Sequence, residues 1–465
     1  MPEYNEFEKH QTLTPAFVDV DDELLSDILD LIHSRSENLL KNILNDLFPA
    51  DVAHIINRLE IEDGDYLFNL LNIEDGSKVI VELDDAHREH FLETLSQKRI
   101  SELVEEMTTD DATDIVGELS KEKAEGVLEN LEDTDYNELQ ELLQYGEHTA
   151  GGLMQKEFVA VYKNDTVKKA ISLVRKAAKE NENIYIIYVV DENDVLTGLL
   201  SVARLVLFSP NRKIYKVMDP DLISVPPSMD QEEVAQIFKK YDILSLPVVD
   251  PQGKILGKIT IDDIVDVLEE EHEEDVAKMV GSNVTEIDSR SPMQVAMLRL
   301  PWVLLTLSIE FLAGVVVHQF DKTLSQVILL ASFMPIISAI SGNTGLQSAA
   351  LIVRGLATGQ VNVKRWWDPL SRQMQTTLII GSVCALVIGV IGSVWGGNWV
   401  FGVAVGASMF VAINISGFIG TSVPMISKRM GFDPAMTAGP FETAFQDVIG
   451  IAVFLSIATM LLRWL

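Results

Sequence analysis

The sequence predicts a multidomain chain: an all-α superhelical N-terminal domain, an α/β tandem of repeated modules, and an α-helical membrane domain with five transmembrane helices per subunit. Three observations lead there. The chain has 465 residues, which at about 150 per domain suggests about three domains. Charge and apolarity are segregated. The net charge is -34 although 47% of residues are hydrophobic; residues 300–465 hold 6 acids and 8 bases, so 64 acids and 28 bases, net -36, fall in residues 1–299. Finally, the stretch from Val159 to Glu270 repeats itself.

The charge bounds the partners. A soluble region at -36 repels phosphate, so nucleic acid is not an expected partner. One cysteine, Cys384, allows neither an internal disulfide nor a Cys-rich metal site. The start, MPEYNEFEKH, is charged without an apolar core, which predicts no signal peptide and a cytosolic soluble part. Residues 1–19 are read as a tail.

Residues 20–148 are helical by period. PADVAHIINRLE, DAHREHFLETL, QKRISELVEEM, DDATDIVGELS and KEKAEGVLENL each place Leu, Ile or Val three and four apart. Ser or Asp precedes several as an N-cap. Short helices at steady spacing predict a stack. No Ser/His/Asp or Cys/His catalytic set is visible, and the eight histidines are scattered, as surface or satisfied core residues would be. An enzyme is not expected.

Residues 149–271 hold the repeat. Val161 matches Val225 at offset 64, and Asp191 and Gly198 match Asp250 and Gly257 at offset 59; the difference falls in the loop AAKENEN. Each copy reads strand, helix, strand, turn, strand, helix. The pair resembles tandem cystathionine-β-synthase-type (CBS) domains, a regulatory module that often binds adenosine nucleotides. The family's ribose motif, Gly-x-x-Ser/Thr-x-x-Asp, is matched by Gly257, Thr260 and Asp263. The first copy has Gly198 and Ser201 but Arg204 in place of the acid. Thr260 and Asp263 also read as a helix cap, and both readings can hold. Residues 272–298 follow as an acidic, plug-type connecting helix, beginning with the end of DDIVDVLEEEHEEDVAKMV. A solvated helix face is its plain reading.

The membrane domain is assigned to residues 299–465. A bilayer core needs about 20 apolar residues per helix. Five spans qualify: Trp302–Phe320, Leu324–Ile340 with a helical continuation, Thr376–Trp395, Val400–Ile426 and Phe441–Leu462. Basic residues at Arg354, Lys364, Arg365 and Arg372, at Lys428 and Arg429, and at Arg299 predict an N-terminus inside and a C-terminus outside. Pro335 is expected to break the second span ahead of Gly342, Asn343, Thr344, Gly345 and Gln347. That stretch reads either as tight packing through small residues or as a pore lining. Asp447 lies inside the last span, where a central carboxylate costs about 2.5–3.5 kcal/mol and marks function. The plainer alternative is a hydrogen-bonded residue between helices. With Asn414 and Thr443 nearby it would offer all-oxygen chemistry suited to Mg²⁺. Glu442 is expected near the mouth, within reach of water, and Glu310 mid-span.

This order of parts resembles the MgtE family of magnesium channels from about residue 20 to 465. The matching motifs are TAGGLM (Thr149–Met154), SGNTGLQSA (Ser341–Ala349), RGLATG (Arg354–Gly359) and GPFETAFQD, which ends at Asp447. The resemblance implies a homodimer in the cell membrane, with Asp447 holding hydrated Mg²⁺ in a pore lined by the second and last spans. Gly342, Asn343, Gly345, Gln347 and Thr443 are then pore-lining. It implies regulatory Mg²⁺ at Asp110, Asp114, Asp230, Glu232, Asp242, Asp263, Asp266, Glu271, Glu274 and Asp275, with ATP as a further regulatory ligand. Mg²⁺ would flow inward down its electrochemical gradient and close the pore by compacting the acidic domains. Two rivals stay open: an ion-coupled exchanger using Glu310 and Asp447, and a membrane-bound regulatory protein without flux.

Overall fold

The computed structural model describes residues 20–179, 184–282 and 292–461. The tail, most of the AAKENEN loop, the second part of the connecting segment and the end of the fifth span lie outside them. Proximity along the backbone divides the chain into two compact units, 1–264 and 265–465.

In the first unit, ten short helices run from Asp22–His33 to Asp133–Leu142 among the described residues. Each buries the apolar positions its period sets out. The helix Pro49–Asn57 starts with proline, whose missing N–H is no loss in a first turn, and buries Val52, Ile55 and Ile56. Asp84 and Ser96 cap their helices by accepting from the His87 and Arg99 amides. Alternate helices pack together: Pro49–Asn57 on Ile73–Val81, that on Gln97–Val104, and that on Lys121–Leu128. This alternation is the superhelical stack. One histidine departs from expectation. His87 is buried, with Nδ1 on Asp84 at 2.9 Å but Nε2 without a partner.

The CBS pair follows. Strands β1 (Val159–Tyr162), β2 (Ile186–Val190) and β3 (Leu196–Ser201) form one sheet, β1 parallel and β3 antiparallel to β2. Strands β4 (Ser245–Val249) and β5 (Ile255–Thr260) form the second, antiparallel sheet. The repeat holds in detail. Both hairpins carry an irregularity at matching places, Val189/Val190 and Val248/Val249. In both turns an aspartate, Asp191 or Asp250, accepts two backbone amides. The second copy lacks the expected first strand. Only a bridge from Val225 to Val248 remains, because Pro226 and Pro227 have no N–H to extend the ladder. The last helix, Ile261–Val280, is continuous from the motif into the acidic run.

The second unit contains five helices long and apolar enough to cross a membrane: Pro292–Gln319, Leu330–Ala357, Trp367–Gly396, Trp399–Met430 and, at the end, Pro440–Met460. The third and fourth pack through glycines. Gly392 meets Gly402, and Gly389 meets Gly402 and Gly406, with backbone where side chains would otherwise stand. Pro335 does not break the second helix. It is the sixth residue of Leu330–Ala357, so it forfeits one hydrogen bond near the start and the helix continues. The stretch from Gly342 to Gln347 is therefore helical. The second helix packs on the fourth and fifth, and the first packs on the fifth.

Candidate functional site

Polar groups gather at two places, one in each unit. In the second unit the fifth helix supplies Glu442, Thr443, Gln446 and Asp447. Asp447 is partly exposed, and its Oδ1 has no partner. Thr443 lies one turn earlier on the same face. The two meet the second helix at Gly342, where an added Cβ would stand 3.4 Å from Asp447 Oδ1 and 3.5 Å from Thr443 Cγ2. Both are ordinary van der Waals distances, so the second and fifth helices lie in contact at this point. Glu310 of the first helix is a charged neighbour of Asp447.

The neighbouring face closes differently. Gly345 and Gly420 let the second and fourth helices approach backbone to backbone, with side chains of the fifth against both glycines. Glu442 and Gln446 fill that junction, each 1% exposed. Glu442 therefore does not reach water as its place in the sequence suggests. Gln446 donates Nε2 to the Ser416 carbonyl at 3.4 Å. It was absent from the sequence reading, although it stands one turn from Glu442 in GPFETAFQD.

The remaining residues assigned to the pore separate. Gly342 and Gly345 face the fifth helix, whereas Asn343 and Gln347, one turn apart, share the exposed face of the second. Asn414 is not part of the Asp447 group. It accepts from Thr377 of the third helix at 3.2 Å and donates to the Phe410 carbonyl.

In the first unit, Asp110, Asp114 and Asp263 gather with acids that the sequence reading passed over: Asp111, Glu157 and Asp262. Asp110 is buried. It accepts from Gln155 Nε2 at 2.9 Å on Oδ2, while Oδ1 has no partner. Glu157 accepts from the Thr109 amide at 3.1 Å and its hydroxyl at 2.9 Å. These bonds clasp the helix Thr109–Glu118 to the segment before β1. Asp263 accepts from the Thr260 amide and hydroxyl at 3.1 and 2.8 Å, the cap geometry.

Burial and mutual repulsion push these carboxyls up: Asp111 and Asp114 to about 7 and Asp263 to about 8. Burial is the larger cause for each, with Asp110 the main charged neighbour. Asp110 and Glu157 move the same way. Lys258 is the nearby cation, itself pushed down by burial. Asp110 is buried, Asp111, Glu157 and Asp263 are half-buried, and Asp114 and Asp262 are exposed, so acids in excess of cations crowd around one buried carboxylate, a charge deficit that a bound cation would relieve. Among the described residues no three His, Cys, Asp or Glu side chains form a ready-made metal cage.

Two further assigned acids bound a single helix. Asp230 caps the helix Gln231–Tyr241 by accepting from the Glu232 amide, and Asp242 ends it in the left-handed region at φ 51°. At 1.5 Å per residue the two stand about 18 Å apart. On Ile261–Val280, Glu274 takes Lys278 at 2.5 Å, and Lys278 also pairs with Asp433 at 2.7 Å. That tie to the loop before the fifth helix was absent from the sequence reading, since 155 residues separate its ends.

Family models match along the chain: a divalent cation transporter model over residues 334–457, the MgtE intracellular N domain over 47–148, and CBS domains over 150–210 and 214–270. The magnesium transporter MgtE of Bacillus subtilis (strain 168) is 31% identical over 438 residues, 94% of this chain and 97% of that protein. MgtE of Thermus thermophilus is 34% identical over 329 residues, 70% of this chain and 73% of the relative. A solved cytosolic domain of the Mg²⁺ channel MgtE in complex with ATP is 32% identical with a TM-score of 0.50, covering 52% of this chain and 99% of that one. Near-full-length identity, the helical stack, the CBS pair and the five apolar helices agree, and the chain belongs to the MgtE family of magnesium transporters.

Proposed function

We propose that the chain is a homodimeric Mg²⁺ channel that takes up the ion down its electrochemical gradient and is closed by Mg²⁺ on its acidic cytoplasmic domains. The observation that carries this is Asp447: a carboxylate with a free oxygen inside an apolar helix, beside Gly342 of the second helix. A single such carboxylate suits an ion that keeps several waters. Asn343 and Gln347, exposed on an otherwise apolar helix, call for water or a second subunit rather than lipid. The basic loops support a reading with the soluble domains in the cytoplasm and the C-terminus outside. The membrane potential then drives entry by about 4.6 kcal/mol per 100 mV for a divalent ion.

Closure follows from the charge deficit around Asp110, Asp111, Asp114 and Asp263. A cation favours the compact state by its differential affinity for it. Asp230, Glu232, Asp242, Asp266, Glu271, Glu274 and Asp275 are assigned the same regulatory role by the family resemblance. ATP is proposed at the second CBS copy, with Gly257, Thr260 and Asp263. The relative solved with ATP supports this.

Glu310 as a charged neighbour of Asp447 favours a second reading, ion-coupled exchange, since two nearby carboxyls can trade a proton for a cation. Flux into liposomes decides. Asp447→Asn should nearly abolish Mg²⁺ uptake, and wild-type current should follow the Mg²⁺ gradient with no counter-ion. Wild-type flux in Asp447→Asn would sink the pore assignment.

A further inference from the structure

Glu442 is not explained by anything derived above. It stands in the first turn of Pro440–Met460, where the helix dipole favours a negative charge without neutralising it. Its side chain is 1% exposed, and neither carboxylate oxygen has a hydrogen-bond partner. Gln446, one turn along, is equally buried. Its Nε2 is spent on the Ser416 carbonyl, and its Oε1 has no partner either.

Residues four apart share a helix face. Three acceptor oxygens without a donor therefore lie on one face of the fifth helix. The walls opposite are backbone: an added Cβ at Gly420 would come within 3.1 Å of Glu442 Oε1, and one at Gly345 would overlap the Gln446 amide. Neither wall presents a donor side chain at these glycines. A buried carboxylate with no donor is costly to keep. A carboxylate joined to an amide carbonyl is, however, a set that a hard cation takes.

We infer that Glu442 and Gln446 form a second divalent-cation site, separate from Asp447. The two carboxylates are five residues apart, a rise of about 7.5 Å along the helix, and they turn to different neighbours. Asp447 meets the second helix at Gly342, while Glu442 lies against Gly420 of the fourth. An ion at Glu442 sits where three helices close on one another. It would hold the fifth helix against the fourth and second rather than lie on the exposed face. The inference rests on the reading of the chain as a divalent-cation transporter.

The test uses the full chain in lipid nanodiscs with Mn²⁺ as probe. Anomalous diffraction or cryo-electron microscopy should show Mn²⁺ beside Glu442 in the wild type, a measurement that needs no variant to fold. In Glu442→Gln, which keeps the shape, that density should vanish while density at Asp447 stays. The half-saturating Mg²⁺ concentration for flux should then rise by about tenfold or more, as loss of a metal-site group does. Density at Asp447 with none beside Glu442, or an unchanged half-saturation in Glu442→Gln, would overturn this inference and leave the transport reading standing. A wild type without Mg²⁺ flux and without Mn²⁺ at either place would overturn both.

Discussion

Gln155 donates its side-chain amide to one oxygen of Asp110 at 2.9 Å and leaves the other oxygen of that buried carboxylate without a partner. The helix Thr109–Glu118 and the segment leading into β1 thus meet across a carboxylate that is only half satisfied. Glu157, taking the Thr109 amide and hydroxyl, brings a second acid to the same clasp. Stability here is bound to protons and cations.

The pH dependence has a definite sign. Asp111 and Asp114 sit near 7 and Asp263 near 8, above the usual 3.9 of a free aspartate. The folded state thus holds more protons than the unfolded between about pH 4 and 8, and the clasp weakens as pH rises through that window. Without divalent ions, protease protection of the soluble unit should fall from pH 6 to pH 8. Millimolar Mg²⁺ should restore it, with protons released on binding. Protection that is flat in pH and indifferent to Mg²⁺ would remove the acid group from the sensor.

Asp110→Asn keeps the shape and an acceptor for Gln155 while removing one buried charge. In the absence of Mg²⁺ it should stabilise the soluble unit by about 1 kcal/mol, read as a rise in the thermal midpoint. Its stabilisation by Mg²⁺ should shrink. An equal Mg²⁺ response in wild type and variant would place the ion elsewhere.

The junction of three membrane helices predicts an order of damage. A Cβ at Gly420 would strike the Gly345 carbonyl, which is backbone and cannot yield. A Cβ at Gly345 would strike the Gln446 side chain, which can swing away and lose its bond to Ser416. Overpacking of this kind costs about 1–3 kcal/mol. Gly420→Ala should therefore unfold earlier than Gly345→Ala in a detergent melt; equal melting would contradict the packing described.

Lys278 links Glu274 to Asp433 and is about three-quarters covered. Burial acts against its charge, but bonds to Asp433 and Glu274 outweigh this and raise its pKa. Lys278→Met should release the acidic helix from the loop before the fifth helix. At about 1 kcal/mol for such a pair, the Mg²⁺ concentration that half-closes the channel should move by about fivefold. Neutralising Asp266, Glu271, Glu274 and Asp275 together should blunt Mg²⁺ inhibition far more than any single change.

Periodicity and local chemistry made several features legible in the sequence. The five apolar spans, the short amphipathic helices, the matched Asp turns of the CBS copies and the Thr260–Asp263 cap all depend on residues within a few positions of one another. The family motifs pointed to Asp447 for the same reason. What the sequence could not rank was contact between distant segments. Pro335 looked like a break until its place in the first turns of a helix was known. Asn414 looked like a neighbour of Asp447 but faces Thr377. Gln446 looked like an ordinary helix residue but fills the gap left by Gly345. Glu157 acquired its place only when the chain folded back on Thr109. A helix face is set by spacing along the chain, but what covers that face is set by packing, and packing decides which carboxylates lose their water.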